Sequence, residues 1–82
     1  MELNDKVTTL LAEVLQIPET AVNEDLAMKD LATWDSLKHM ELVVLIEQSF
    51  KIELTFDEIV AMQNVREIKR VLAQRELNGV SG

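Results

Sequence analysis

A broad run of apolar residues at helical spacing is the feature that most limits how this chain can fold. From Ser36 to about Lys51 the sequence reads SLKHMELVVLIEQSFK, with apolar residues recurring at intervals of three and four. This spacing predicts an amphipathic α-helix. Six residues are expected to face the core and two more to widen the apolar surface: Leu37, Met40, Val43, Val44, Ile46 and Phe50, then Leu42 and Leu45. Such a wide surface indicates a central helix that contacts several neighbours.

The segment before this helix predicts another helix and then a loop. Apolar residues in MELNDKVTTLLAEVL recur at helical spacing, and Asn4 is a plausible N-cap. Pro18 ends the helix, because the residue before a proline avoids helical angles. Residues 18–35 have no sustained period and are expected to form a long ordered loop, which in a small domain is often functional.

Two capping patterns follow the central helix. Thr55 with Glu58 three residues later is a capping box, which predicts a short helix over 56–62. Asn64 followed by Glu67 repeats the pattern and opens a last helix, expected to end near residues 74–75.

The sequence therefore predicts an all-α fold. We expect a small four-helix bundle, with three main helices, a short third helix and a long first loop. The chain of 82 residues is long enough for one domain, predicted over 1–76, and 77–82 are expected to be a disordered C-terminal tail. Met1 and the short tail favour a free-standing protein.

Composition limits the function. The chain has no cysteine, so any thiol that it uses must arrive on an attached group. Its net charge of −7 argues against binding to nucleic acid or to an anionic membrane surface and favours basic protein partners. Neither a signal peptide nor a membrane span is evident, which predicts a cytoplasmic protein.

Ser36 allows three interpretations. Ser36 or Asp35 caps the helix and has no other role. Alternatively, Ser36 is a nucleophile with His39 as its base, although the chain lacks a G-x-S-x-G elbow. In the third interpretation, Ser36 accepts a group from another enzyme, since the acid beside it helps to place a metal-bound phosphate donor and a helix start favours an attached phosphate. These interpretations correspond to a helical interaction domain, a small hydrolase and a carrier.

The tripeptide DSL before the amphipathic run MELVVLIEQSF resembles the acyl carrier proteins and the related peptidyl and aminoacyl carriers. The resemblance covers most of the chain, including the long loop, KIELTFDEI and NVREIKRVL. It implies a 4′-phosphopantetheine arm on Ser36, transferred from coenzyme A by a phosphopantetheinyl transferase. Asp35 would stand beside the magnesium-phosphate site during transfer, with Leu37 next to the attachment point. The carrier alone would perform no catalysis and hold no resident metal.

The resemblance also implies a docking region for partner enzymes. It would include Met40, Glu41, Glu47, Asp57 and Glu58. The expected partners are the transferase and acyltransferase, ligase or synthase enzymes of fatty acid, polyketide or related metabolism, which meet a monomeric carrier.

The motif TWDSLKHM departs from the housekeeping fatty-acid carriers. Those carriers usually have a glycine just before the position of Trp34 and an acid at the position of Lys38. The large Trp34 side chain is expected to pack under the loop. These differences favour a specialised-pathway carrier. A cleft for an acyl chain is conceivable between the second and third helices, although an ordinary packed core is favoured there. It would be lined by Val43, Ile46, Ile59, Val60 and Met62.

Overall fold

The computed structural model describes residues 3–79, and within that range the chain forms four α-helices and no β-strand. The helices are α1 (Leu3–Leu15), α2 (Ser36–Phe50), α3 (Phe56–Ala61) and α4 (Val65–Gly79). Two single turns of 3₁₀-helix, Glu19–Ala21 and Met28–Asp30, lie in the long loop between α1 and α2. The predicted all-α bundle with a short third helix is confirmed.

The helix boundaries follow the cap chemistry. The Thr55 side chain accepts from the backbone N–H of Glu58, and the Glu58 carboxylate accepts from the N–H of Thr55, which confirms the predicted capping box. Asn64 Oδ1 likewise accepts from the N–H of Glu67 at 2.8 Å. The N-cap prediction at Asn4 was wrong, because α1 already includes Leu3.

The last helix is longer than predicted. It continues past Arg75 to Gly79, so 77–79 of the expected disordered tail are helical, and 80–82 lie outside the described residues. Good helix formers between Arg75 and the first glycine, namely Glu76 and Leu77, are consistent with this extension.

The core lies where α1, α2 and α4 meet. α1 packs against both α2 and α4, and the short α3 packs against α4. Within the part of the chain whose burial is described, fourteen hydrophobic residues are buried: Val7, Leu11, Val14, Leu15, Trp34, Leu42, Val43, Ile46, Leu54, Met62, Val65, Ile68, Val71 and Leu72. No helix among the described residues is long and apolar enough to cross a membrane.

The prediction of which α2 residues face the core is partly confirmed. Val43 and Ile46 are buried as predicted, and so is Leu42, which was expected to widen the apolar surface. Leu37, Met40 and Val44 were predicted to be inward and are exposed, and His39 is buried with the core residues instead. The apolar surface of α2 is wider than the part that its neighbours cover, so periodicity alone did not identify the buried part.

The long loop is held against the junction of α3 and α4. The N–H of Met28 donates to the carbonyl of Gln63, and the N–H of Val65 donates to the carbonyl of Leu26, both at 2.9 Å. An ion pair of 2.9 Å between Arg66 and Asp25 lies beside these bonds. The loop therefore has a fixed position next to the start of α2.

Candidate functional site

Ser36 is the first residue of α2 and is exposed to solvent. The cap of this helix is Asp35, whose Oδ1 accepts from the backbone N–H of Lys38 at 2.9 Å. Among the described residues, 3–79, none forms a hydrogen bond with the Ser36 hydroxyl. A neighbour thus performs the capping, and the serine oxygen remains accessible.

His39 is buried and occupied at both ring nitrogens. Trp34 Nε1–H donates to His39 Nδ1 at 3.1 Å, and His39 Nε2 lies 2.9 Å from the carbonyl oxygen of Ile59. An indole N–H can only donate, so Nδ1 is the acceptor and Nε2–H donates to Ile59. The imidazole is therefore neutral in this arrangement and has no lone pair left for Ser36, which removes the basis of the hydrolase interpretation.

The same pair explains the position of Trp34. The Trp34 side chain is 1% exposed, in agreement with the prediction that it packs beneath the loop. Its ring centroid lies 6.1 Å from that of His39, and the two planes are tilted by 36°. Because its N–H has a partner, this large amphipathic side chain is buried without an unpaired donor. The segment before Ser36 is thereby anchored to α2 and, through Ile59, to α3.

A groove of about 240 Å³ opens beside Ser36, between α2, α3 and the long loop. Its lining is mostly apolar, and His39 and Gln63 add polar groups to it. The lining residues are Met28, Ser36, His39, Met40, Ile59, Val60 and Gln63. A flexible group attached to the Ser36 oxygen would have this surface next to it.

Among residues 3–75, whose exposure the structure describes, five large hydrophobic residues are exposed, and all of them lie on α2 or α3. We call these residues the apolar surface: Leu37, Met40, Val44, Phe56 and Val60. Phe56 is 78% exposed and Leu37 is 70% exposed. Met40 and Val60 line one groove, which joins the two helices into one surface. On α2 a second shallow groove of about 450 Å³ is lined by Leu37, Met40, Glu41, Val44 and Leu45.

The acidic residues predicted for docking have different surroundings. Glu41 is exposed and pairs with Lys38 at 3.2 Å, and Asp57 is exposed in the first turn of α3. Glu47 is partly buried, and its Oε2 accepts from the N–H of Leu54 at 2.9 Å, which holds the α2–α3 loop. Glu58 is bound to an arginine of α4.

Glu58 forms two hydrogen bonds with Arg75. Arg75 Nε donates to Glu58 Oε2 at 2.8 Å, and an Nη2–H donates to Oε1 at 2.6 Å. The bond with this guanidinium, aided by the N–H of Thr55, lowers the pKa of Glu58 from 4.5 to about 2, against a smaller opposing effect of desolvation. Glu58 therefore joins α3 to α4.

This pair predicts a contribution to acid stability. Because the pKa of Glu58 is lower in the folded state, the stabilisation is complete above about pH 5 and is lost as pH falls towards 2. Glu58→Gln should lower the free energy of unfolding by about 1 kcal/mol at neutral pH. It should also weaken the fall in stability between about pH 5 and 2, as measured by urea unfolding between pH 2 and 7.

Arg75→Gln provides the matched variant for this prediction. If the effect comes from the pair, the double variant Glu58→Gln with Arg75→Gln should lose little more stability than either single variant. Fully additive losses, or an unchanged fall in stability at acid pH in Glu58→Gln, would contradict the assignment.

The structure brings together Asp35, Ser36, Leu37 and Met40, and it adds two residues that sequence reasoning missed. His39 was named only as a possible base for Ser36, and its burial was missed, although its spacing from Leu42 and Val43 already placed it on one helix side with them. Phe56 was taken only as the start of α3, and its exposure followed from its position beside two acids in the first turn.

The chain is similar to known proteins in sequence and in fold. Residues 5–72 match the sequence profile of a family described as "Phosphopantetheine attachment site". An acyl carrier protein of Guillardia theta is 30% identical over 74 residues, which is 90% of this chain and 91% of that protein.

The fold has a close structural counterpart. A solution NMR structure of the holo acyl carrier protein from Geobacter metallireducens superposes with a TM-score of 0.85. The alignment covers 99% of this chain and 93% of that chain, at 23% identity. At this identity the similarity concerns the fold alone.

Proposed function

This chain belongs to the acyl carrier protein family, whose members take a 4′-phosphopantetheine prosthetic group, and we propose that Ser36 is the residue that receives it. The observation that carries the proposal is the Ser36 hydroxyl, exposed at the start of α2 while Asp35 performs the capping. When bound, the arm supplies the thiol that this cysteine-free chain lacks, on which an acyl group is held as a thioester.

The residues around Ser36 suit a phosphate-linked group. The positive end of the α2 dipole favours a phosphodiester at the first helical residue. Asp35 uses Oδ1 for the N–H of Lys38, which leaves Oδ2 for a magnesium ion during transfer. The groove beside Ser36 gives the attached group a mostly apolar surface to lie on.

The family is one of carriers rather than catalysts, and the site agrees with that role. His39 has no free nitrogen for general base catalysis, and α2 presents Ser36 on the surface instead of in an enclosed site. The chain therefore holds an acyl intermediate and presents it to biosynthetic enzymes.

We propose that these enzymes dock on the apolar surface. Exposed apolar side chains on one continuous area are typical of interaction sites. Glu41 and Asp57 flank this area and favour a basic rim on the partner, as predicted from the sequence. Glu47 and Glu58 were also predicted as docking residues, and we propose that they act mainly by holding α3 in place, since both carboxylates are bound within the chain.

We expect changes in the apolar surface to weaken docking. Using a broad-specificity phosphopantetheinyl transferase as the probe, Leu37→Ser should raise KM for this chain about tenfold, or about 1.4 kcal/mol, with little change in kcat. Phe56→Ser, farther from Ser36 along the chain, tests whether contact extends to α3. Gln74→Ser, an exposed residue of α4, is the control. Equal KM values for Leu37→Ser and Gln74→Ser would exclude docking through Leu37.

Several finer parts of the function are proposed on the same basis. The partners include a phosphopantetheinyl transferase and an acyltransferase, ligase or synthase. Trp34 and Lys38 favour a specialised pathway over housekeeping fatty acid synthesis. The monomeric state and cytoplasmic location expected from the sequence stay predictions.

Attachment is tested by intact-mass measurement. The chain is incubated with coenzyme A, magnesium and the broad-specificity transferase, and its mass should rise by one phosphopantetheine. Peptide mapping should then place the group on the peptide that contains Ser36. An unchanged mass under conditions that modify another carrier protein would refute the proposal.

A further inference from the structure

The space between α2 and α3, where the sequence left an acyl cleft open as an alternative to a packed core, is filled by the protein's own side chains. Val43, Ile46 and Met62 are at most 2% exposed and belong to the packed core. None of these three lines the groove beside Ser36, which is lined on the α3 side by Ile59 and Val60. An acyl chain carried on an arm from Ser36 would therefore have to displace core residues to enter between α2 and α3.

The hydrogen bond between His39 and Ile59 joins the two walls of that groove. His39 lies on α2 and Ile59 on α3, both line the groove, and the bond between them is 2.9 Å long. Behind it, Trp34 is buried and holds the other nitrogen of the same imidazole. A chain that passed between the walls would leave the Ile59 carbonyl and the His39 Nε2–H without partners, which is unfavourable in a buried site.

We propose that the Trp34–His39–Ile59 hydrogen bonds keep an attached acyl group out of the core, so that cargo of any length stays on the surface of the carrier. The inference rests on the proposed attachment at Ser36. The bond of 2.9 Å between His39 and Ile59 closes the entrance between α2 and α3, and the buried Trp34 fixes the imidazole that makes it. His39 is therefore a positioning residue that keeps the two walls of the groove together.

The test compares acyl groups of different length on the same carrier. Acetyl-, butyryl-, octanoyl- and dodecanoyl-phosphopantetheine are transferred from the corresponding coenzyme A thioesters, and loading is verified by intact mass. Thioester cleavage by hydroxylamine is then timed. In the natural sequence the rate should differ by less than twofold across the series, because no acyl group enters the core.

The single tryptophan gives a second readout that does not depend on reactivity. Trp34 lies directly behind His39, so its fluorescence reports on a chain that enters between the walls. Its emission maximum should be the same in the butyryl and dodecanoyl forms. His39→Ala, which removes the bond and opens space, should shift the emission and slow cleavage of the dodecanoyl form at least threefold.

His39→Leu is the second variant, because it removes the bond while keeping an apolar side chain in the site. It should change the emission and the cleavage rate in the same direction as His39→Ala. By contrast, His39→Gln can still donate to Ile59 and accept from Trp34, so it should behave like the natural sequence. Slower cleavage of long chains in the natural sequence would overturn the proposal, as would a flat series in folded His39→Leu. A chain that takes no arm would contradict the proposed attachment itself, which the mass measurement detects separately.

Discussion

Ser36→Ala is expected to abolish phosphopantetheine addition completely. The arm needs a hydroxyl oxygen at the start of α2, and no other described serine stands at a helix start beside an acid. The variant should keep its helical circular dichroism. Its free energy of unfolding should change by no more than about 0.5 kcal/mol, because Asp35, and not Ser36, caps α2.

Two variants separate the hydroxyl from its surroundings. Ser49→Ala removes the serine near the other end of α2 and should leave loading unchanged. Asp35→Asn keeps an oxygen that can accept from the Lys38 N–H and loses only the charge. Transfer to Asp35→Asn should slow at least tenfold without loss of stability, if the carboxylate helps to hold magnesium. Addition of an arm to Ser36→Ala would place the attachment elsewhere and contradict the proposed site.

Trp34→Ala should destabilise the protein more than any other single change considered. Its side chain is 1% exposed, and replacing a buried tryptophan by alanine typically costs about 3–5 kcal/mol. A further cost arises because His39 Nδ1 loses its donor. For a domain of this size, about 3 kcal/mol lowers Tm by 12 °C or more.

The measurement is urea unfolding followed by far-ultraviolet circular dichroism, since the variant has no tryptophan fluorescence. Trp34→Phe keeps much of the apolar volume and lacks the N–H. The free energy of unfolding of Trp34→Phe should therefore fall by less, about 1–3 kcal/mol, mainly because the imidazole nitrogen is left unpaired. A loss below 1 kcal/mol for Trp34→Ala would mean that the indole is not part of the core.

Local chemistry made much of the fold predictable. The Thr55–Glu58 capping box is a short-range pattern whose partners are three residues apart, and it was confirmed. The exposed serine beside an acid was predictable for the same reason, because both residues lie at a helix start. The orientation of α2 was not, since it depends on contacts between segments distant in sequence.

The neighbourhood of Ser36 shows this difference most clearly. The sequence placed a serine hydroxyl beside an acid before a long helix, and it predicted that any thiol used by this cysteine-free chain is carried on an attached group. It did not predict that Trp34 and Ile59 would occupy both nitrogens of His39, because these partners lie five residues before it and twenty after it.

Helix periodicity and caps act over three or four residues, so they predicted the four helices of the described range, the capping of α3 and the position of Ser36 at a helix start. Which apolar residues of α2 face inward came from the tertiary fold, which leaves Leu37 and Met40 exposed and buries His39. Burial depends on the groups that other segments supply. A polar ring becomes part of a core only where an indole N–H and a carbonyl oxygen meet it.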